Sequence, residues 1–259
     1  MISSSSNVQI KNLIKLQKNA RTRKEQNAFV IEGKKLFQEA RTDGTVLHAY
    51  VTEEYLEEIG LSAEAYFQGI PYEVVDPKVL KEAADTKTPQ GILAIVEKPS
   101  YQLEDLWHKN TCKFIVLEDL RDPGNLGTIM RTAEGAGMDG VIMSRETVDL
   151  FNPKVVRSTM GSIFRVPFVY VDDLQQTIEQ MKQHQFAIVA TDLQGKNDYS
   201  AESYPAKTAV VIGNEAKGIT EQMRQAATLL VKIPMQGKLE SLNASIAAGL
   251  MMYELGRTH

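Results

Sequence analysis

TAVVIGNEAKGIT (Thr208–Thr220) and LLVKIPMQGKLESLNASIAAGLMMY (Leu229–Tyr253) divide into a strand, a glycine-bearing turn, a helix, a second strand, a polar loop and a helix of small residues. Ala209–Ile212 is a short β-branched run ending at Gly213, the pattern of a strand buried on both faces of a parallel sheet. Gly213 tolerates a close backbone approach. Asn214-Glu215 and Lys217-Gly218 follow, then a helical pattern from Thr220 to Ala227. The second strand, Leu229–Ile233, stops at Pro234. After the loop Met235–Glu240, Ser241 is placed to cap a helix carrying Ala244, Ala247, Ala248 and Gly249. Ligands bind beyond the C-terminal ends of strands in open α/β sheets. Two such ends lie side by side here, so the stretch predicts a small-molecule pocket rich in backbone contacts.

Working outward, the rest of the second half repeats strand then helix. Strands are expected at Phe114–Leu117, Gly140–Met143, Val166–Val171 and Phe186–Thr191. Helices are expected at Thr128–Ala136, Asn152–Thr159 and Asp172–Gln183, and a long turn over Glu118–Gly127 joins the first strand to its helix. That alternation implies a mostly parallel sheet flanked by helices. The first half reads as a smaller α/β layer. It has an amphipathic helix at residues 7–18, a basic connection Arg21–Asn27, strands near Ala28–Ile31, Ala49–Thr52, Tyr72–Val75 and Gly91–Val96, and helices at Lys34–Arg41 and Lys78–Ala84. The expected domains are residues 1–98 and 113–259, with 99–112 as linker.

The chain of 259 residues carries a formal net charge of −4. The charge is uneven: residues 1–41 hold nine Lys/Arg and three Glu, a local +6, which leaves −10 for the remainder. A basic end on an acidic body suits either a polyanion contact or a solvated helix face. Cys112 is the only cysteine, so no intrachain disulfide can form and a thiolate metal site is not expected. The four histidines lack ligand spacing, and no metal is expected. No apolar run reaches membrane length, and MISSSSNVQIKN lacks a signal peptide's apolar core, so the expected location is cytoplasmic. Dinucleotide-binding, Walker A, zinc and nucleophile-elbow motifs are all missing, which weakens oxidoreductase, ATPase and hydrolase readings together.

Three loops remain as candidates: one bearing Asn125 and Arg131, one with Gly213-Asn214-Glu215, one with Ser241-Leu242-Asn243. Singly, each has a plainer reading as ion pair, turn residue or helix cap. Together and in order they resemble the SpoU (TrmH) family of RNA ribose 2′-O-methyltransferases. The matching segments are LEDLRDPGNLGTIMRTAEGAG (Leu117–Gly137), RSTMGSIFRVP (Arg157–Pro167), VVIGNEAKGI (Val210–Ile219) and VKIPMQGKLESLNASIAAGLMMYE (Val231–Glu254). FVIEGKKLFQEA (Phe29–Ala40) and TPQGILAIV (Thr88–Val96) look like the family's small substrate-binding domain.

The resemblance implies a trefoil-knotted, SPOUT-like α/β domain, S-adenosyl-L-methionine as cofactor, and a homodimer joined through the knotted domain. It implies Arg131, Asn125, Glu215, Ser241 and Asn243 as catalytic residues, and Thr191, Gly213, Ile233, Met235 and Leu242 as cofactor contacts. The basic end then becomes an RNA grip, carried by Lys11, Lys15, Arg21, Arg23, Lys34 and Lys35. The expected substrate is structured RNA, with 23S ribosomal RNA ahead of transfer RNA. The competing readings are a transfer-RNA ribose methyltransferase, a methyltransferase acting on a base, and a non-catalytic RNA-binding ribosome-assembly factor that keeps the fold.

Overall fold

A computed structural model describes residues 1–257; Thr258 and His259, at the end of the expected second domain, lie outside the described residues. The chain forms two packing units, one of residues 1–99 with 149–164 and one of residues 100–148 with 165 onward.

In the first unit, α1 (Val8–Lys18) and α2 (Ala20–Glu25) precede β1 (Ala28–Glu32), α3 (Lys34–Asp43), β2 (Val46–Val51), α4 (Glu53–Glu58), α5 (Ala63–Phe67), β3 (Tyr72–Val74), α6 (Pro77–Ala83) and β4 (Ile92–Glu97). The sheet order is β1-β4-β2-β3. β4 is antiparallel to both its neighbours, and β2 and β3 are parallel. Ile10, Leu13 and Leu16, fully buried on one face of α1, pack with Val30, Leu93 and Leu80. The basic connection expected at Arg21–Asn27 is instead largely helical, because the Asn19 side chain accepts the Thr22 N–H at 3.1 Å and caps α2.

Residues 149–164, far along the chain, belong to this unit. They contain α9 (Pro153–Thr159), which packs on β1. Phe151 and Phe164 meet Phe29 at ring-centroid distances of 4.9 and 6.2 Å. Three aromatic rings removed from water outweigh the cost of routing the chain there and back.

The second unit contains α7 (Leu103–Leu106), β5 (Cys112–Leu117), α8 (Pro123–Gly135), β6 (Gly140–Ser144), β7 (Phe168–Val171), α10 (Leu174–Gln183), β8 (Ala187–Thr191), β9 (Asn197–Asp198), β10 (Lys207–Ile212), α11 (Glu221–Ala226), β11 (Leu229–Lys232) and α12 (Ala244–Gly256). Its sheet runs β7-β6-β5-β10-β8-β11-β9, and every pairing among the described residues is parallel. The two late strands are interleaved among earlier ones: β10 enters between β5 and β8, and β11 between β8 and β9. α12 then returns to lie on α8 and β10.

Two of the boundaries that differ from expectation bear on the candidate loops. α8 starts at Pro123, with Asp122 as its cap, so the second half of the expected long turn, Pro123–Gly127, is helical; proline at the first helical position has no N–H to lose. α12 is capped by Asn243, whose Oδ1 accepts the Ser245 N–H at 2.9 Å, and not by Ser241. The amide side chain sits one position before the helix, where its oxygen can reach that donor. Cys112 is fully buried, and burial pushes its thiol pKa up.

Candidate active site

The strand ends of β5 and β10 meet in register, with Leu117 beside Ile212, so the loops that follow them are neighbours. Asp119 takes a left-handed φ of 56° just beyond β5. Asn214 Nδ2 donates to the Asp119 carbonyl at 2.8 Å, and its Oδ1 accepts the Ala216 and Lys217 N–H groups at 2.9 and 3.1 Å. The backbones of Asn214 and Gly218 pair in both directions, at 3.0 and 2.8 Å. Gly213 lies so close to this return that a Cβ would stand 2.2 Å from the Gly218 carbonyl carbon.

Glu215 is carried from this loop to the start of α8. It accepts the backbone N–H of Asp122 at 2.8 Å and of Arg121 at 3.1 Å, and the Asn125 amide at 3.1 Å. Burial pushes its pKa up, but those N–H groups and the amide outweigh burial and hold the carboxyl below its ordinary value. The α8 N-terminus adds a favourable dipole for the anion. Asn125 is buried, and its Oδ1 accepts from Asn243 Nδ2 at 2.9 Å. Asn243 Oδ1 in turn accepts from Ser245 Oγ at 2.7 Å. A continuous hydrogen-bonded chain, Glu215–Asn125–Asn243–Ser245, thus ties all three candidate loops together.

Beside this chain lies a cleft of about 380 Å³. All five expected cofactor contacts line it: Thr191, Gly213, Ile233, Met235 and Leu242. So do Ser241 and Glu215, with Ile212, Ala244 and Ala247 adding apolar wall. Asn125 and Asn243 are linked to the rim through Glu215. Arg131 stands apart. It is six residues from Asn125, about 240° round α8, and it is exposed with no hydrogen bond or ion pair among the described residues. The Asn125 amide is bonded at one end to Glu215 and at the other to Asn243, and its side chain and that of Arg131 leave different faces of α8.

The expected RNA contacts divide. Lys11, Lys15 and Lys35 are exposed. Arg21 is exposed and paired with Glu25 at 2.7 Å, and Lys34 is paired with Glu58. Arg23 is a correction. It is 3 % exposed, its Nη1 donates to the Leu16 and Gln17 carbonyls at 2.7 and 3.0 Å, and its Nε and Nη2 grip Asp149. Those carbonyls lie near the end of α1, where Arg23 satisfies acceptors that the helix leaves unpaired; it is a structural residue.

Sequence reasoning missed four supports of the site. Glu118, buried at the end of β5, accepts from Thr220 N and Oγ1 at 2.9 and 2.7 Å and so positions α11. Ser144 Oγ accepts the Asp119 N–H and donates to its carboxylate. Asp192 and Arg224 pair across the cleft wall. An acid directly after a buried strand was the available signal for Glu118; the others depend on contacts between distant segments.

Among the described residues, no group of His, Cys, Asp and Glu is arranged to hold a metal, and no helix is long and apolar enough to cross a membrane.

Comparison with known proteins agrees with this geometry. Residues 113–253 match the SpoU rRNA methylase family and residues 7–94 match the MRM3-like substrate binding domain. The 23S rRNA (guanosine(2553)-2′-O)-methyltransferase RlmP of Bacillus subtilis is 31% identical over 98% of this chain and 98% of its own length. An AdoMet-bound rRNA methyltransferase from Sinorhizobium meliloti superposes with a TM-score of 0.85 at 32% identity, covering 98% of this chain and 96% of that one. The SpoU methyltransferase AviRb of Streptomyces viridochromogenes, solved with AdoMet, gives 0.86 at 26% identity over 96% and 97%. The interleaved parallel sheet, the three joined loops and these matches lead to one conclusion: the chain belongs to the SpoU family of RNA methyltransferases.

Proposed function

We propose that this protein transfers a methyl group from S-adenosylmethionine to a ribose 2′-hydroxyl of structured RNA, with 23S ribosomal RNA as the favoured substrate, in the cytoplasm. The observation that carries the reading is the Glu215–Asn125–Asn243 chain at the rim of the cleft. It holds three loops in one arrangement, which is what an alignment-limited reaction requires.

The cleft fits the cofactor. Its volume lies within the roughly 300–1,000 Å³ typical of small-molecule sites. Ile212, Ile233 and Leu242 offer apolar surface to a purine, while three acids, Asp192, Glu215 and Glu240, outnumber the two bases Lys217 and Arg224 in the lining, a balance that favours a cation. When bound, S-adenosylmethionine supplies an electrophilic methyl group on a sulfonium. The protein aligns the incoming hydroxyl, excludes water and handles its proton. Arg131 is a poor base, since a guanidinium stays protonated. Its unpaired, exposed side chain suits binding of the phosphate next to the target ribose and stabilisation of the developing alkoxide; the proton leaves to that phosphate or to water. Ser241, at the cleft lining, is placed to donate a hydrogen bond to cofactor or nucleotide.

Lys11, Lys15 and Lys35 supply the electrostatic grip on RNA phosphates. Ile246, Leu250 and Tyr253 recur along one face of α12 and are 53, 36 and 58 % exposed. That apolar stripe suits a second copy of the chain.

The test is transfer of tritiated methyl from S-adenosylmethionine to ribosomal and transfer RNA lacking native modifications, followed by nucleoside analysis. Label in a 2′-O-methylnucleoside of the large-subunit ribosomal RNA is expected. Label on a base, or RNA binding with neither label nor cofactor binding, would overturn the reading.

A further inference from the structure

Part of the cleft lining is built by a turn that none of the recognised motifs contains. Asp192 follows the last residue of β8, and its side chain is 7 % exposed. Its Oδ2 accepts Arg224 Nε at 3.1 Å and Nη2 at 2.7 Å, while Arg224 Nη1 donates to Glu221. Its Oδ1 accepts the Gln194 N–H at 2.7 Å. The Asp192 N–H donates to the Val231 carbonyl at 2.9 Å, and the Asp192 carbonyl accepts the Gly195 N–H at 3.0 Å. The turn is pressed against β11: a Cβ at Gly195 would stand 2.6 Å from the Val231 carbonyl carbon. Asp192, Leu193, Gln194 and Arg224 all line the cleft, and Leu193 is 67 % exposed.

The geometry points to Arg224 as a positioning residue for the cofactor: it locks the turn Asp192–Gly195 so that Leu193 and Gln194 form a ready-made wall of the S-adenosylmethionine cleft. This rests on the cofactor proposed above. The turn is tied to β11 at Asp192 and Gly195, but Leu193 between them is exposed and adds little packing to hold the middle of the segment. Remove the guanidinium and the Asp192 carboxylate, nearly out of water, keeps the Gln194 N–H but loses its counter-charge, and gains by swinging toward solvent. Leu193 and Gln194 travel with it. Binding must then order the turn, and that cost appears in cofactor affinity. Lysine cannot replace the fork, because one ammonium cannot span Asp192 and Glu221 in the same planar geometry.

The experiment compares wild type, Arg224→Leu, Arg224→Lys and Asp192→Asn. Calorimetric Kd for S-adenosylmethionine is measured alongside KM and kcat for methyl transfer. Expected are a roughly tenfold rise in Kd and cofactor KM for Arg224→Leu and Asp192→Asn, and about threefold for Arg224→Lys. At saturating cofactor, kcat should stay within about twofold and the RNA KM should not move. Loss of thermal stability and kcat with an unchanged cofactor KM would make the pair merely structural and overturn the proposal; so would equal affinity in all four proteins. The two milder substitutions keep the comparison decisive if Arg224→Leu does not fold. Absence of cofactor binding by wild type would overturn the proposed function, and this inference with it.

Discussion

Replacing Gly213 with alanine adds one methyl group where the structure has no room for it. A Cβ there would lie 2.2 Å from the Gly218 carbonyl carbon, 2.3 Å from the Ile219 nitrogen and 2.5 Å from the Gly218 oxygen, all backbone atoms. Gly213 is not among the positive-φ residues, so the conflict is one of space and not of backbone preference. Restoring an ordinary contact of 3.4 Å requires a shift of about 1.2 Å in the Gly218 return. The Asn214–Gly218 pairs, now 3.0 and 2.8 Å, would then lengthen to about 4 Å and cease to be hydrogen bonds. Losing two such bonds costs about 1 kcal/mol each, and the overpacking itself about 1–3 kcal/mol. Together these come to about 3–5 kcal/mol, a fall in Tm of roughly 6–20 °C for a chain of this size. The larger effect is local, since the displaced return forms the floor of the cleft. Cofactor affinity, read by calorimetry at a temperature where the variant is folded, should drop by about two orders of magnitude. A Gly213→Ala protein with unchanged Tm and wild-type cofactor affinity would refute the reasoning.

Three further outcomes are expected. Arg131→Ala should keep cofactor Kd within about twofold and lower kcat by about 100-fold or more, since the exposed guanidinium has no hydrogen bond or ion pair among the described residues; near-wild-type turnover would remove it from the reaction. The Glu215 carboxyl is held below its ordinary value, so its stabilising contribution is present above the unfolded carboxylate pKa of about 4.3 and is lost as pH falls through the lower folded value. Thermal melts between about pH 3 and pH 7 should therefore show a steeper acid loss for wild type than for Glu215→Gln, and parallel curves would contradict this. Arg23→Ala should cost about 3 kcal/mol of stability by unpairing Asp149 and leave the salt dependence of RNA affinity unchanged, whereas Lys15→Ala should reduce the log–log salt slope by about 1. Filter-binding over a salt series with matched urea melts separates the two, and a reversal of these effects would show that the buried arginine had been assigned the wrong role.

Much of the fold and the candidate site is visible before any coordinates. Buried parallel strands advertise themselves as short β-branched runs, and Ala209–Ile212 and Phe114–Leu117 are such runs. Local rules also placed helices over Asn152–Thr159 and Lys78–Ala84, which begin at Pro153 and Pro77. What local rules could not rank was competition between neighbours. Asn243 and Ser241 are both good caps, and only the hydrogen bond to Ser245 N–H decides between them. Pro123 likewise begins α8 inside a stretch that reads as a turn.

By itself, the sequence determined the strand–helix alternation and the order of the three loops, because periodicity is a property of contiguous residues, and its motif segments carried the resemblance to the SpoU family. The tertiary structure decided matters that depend on partners far along the chain. It placed residues 149–164 with the first unit, by seating Phe151 and Phe164 against Phe29. It withdrew Arg23 from the basic surface, because Asp149 and two carbonyls at the end of α1 claim its guanidinium. It joined Glu215, Asn125 and Asn243, separated by 90 and 118 residues, into one hydrogen-bonded chain. A side chain's charge is written in the sequence; whether that charge meets solvent, RNA or a buried partner is settled only when distant segments compete to bury it.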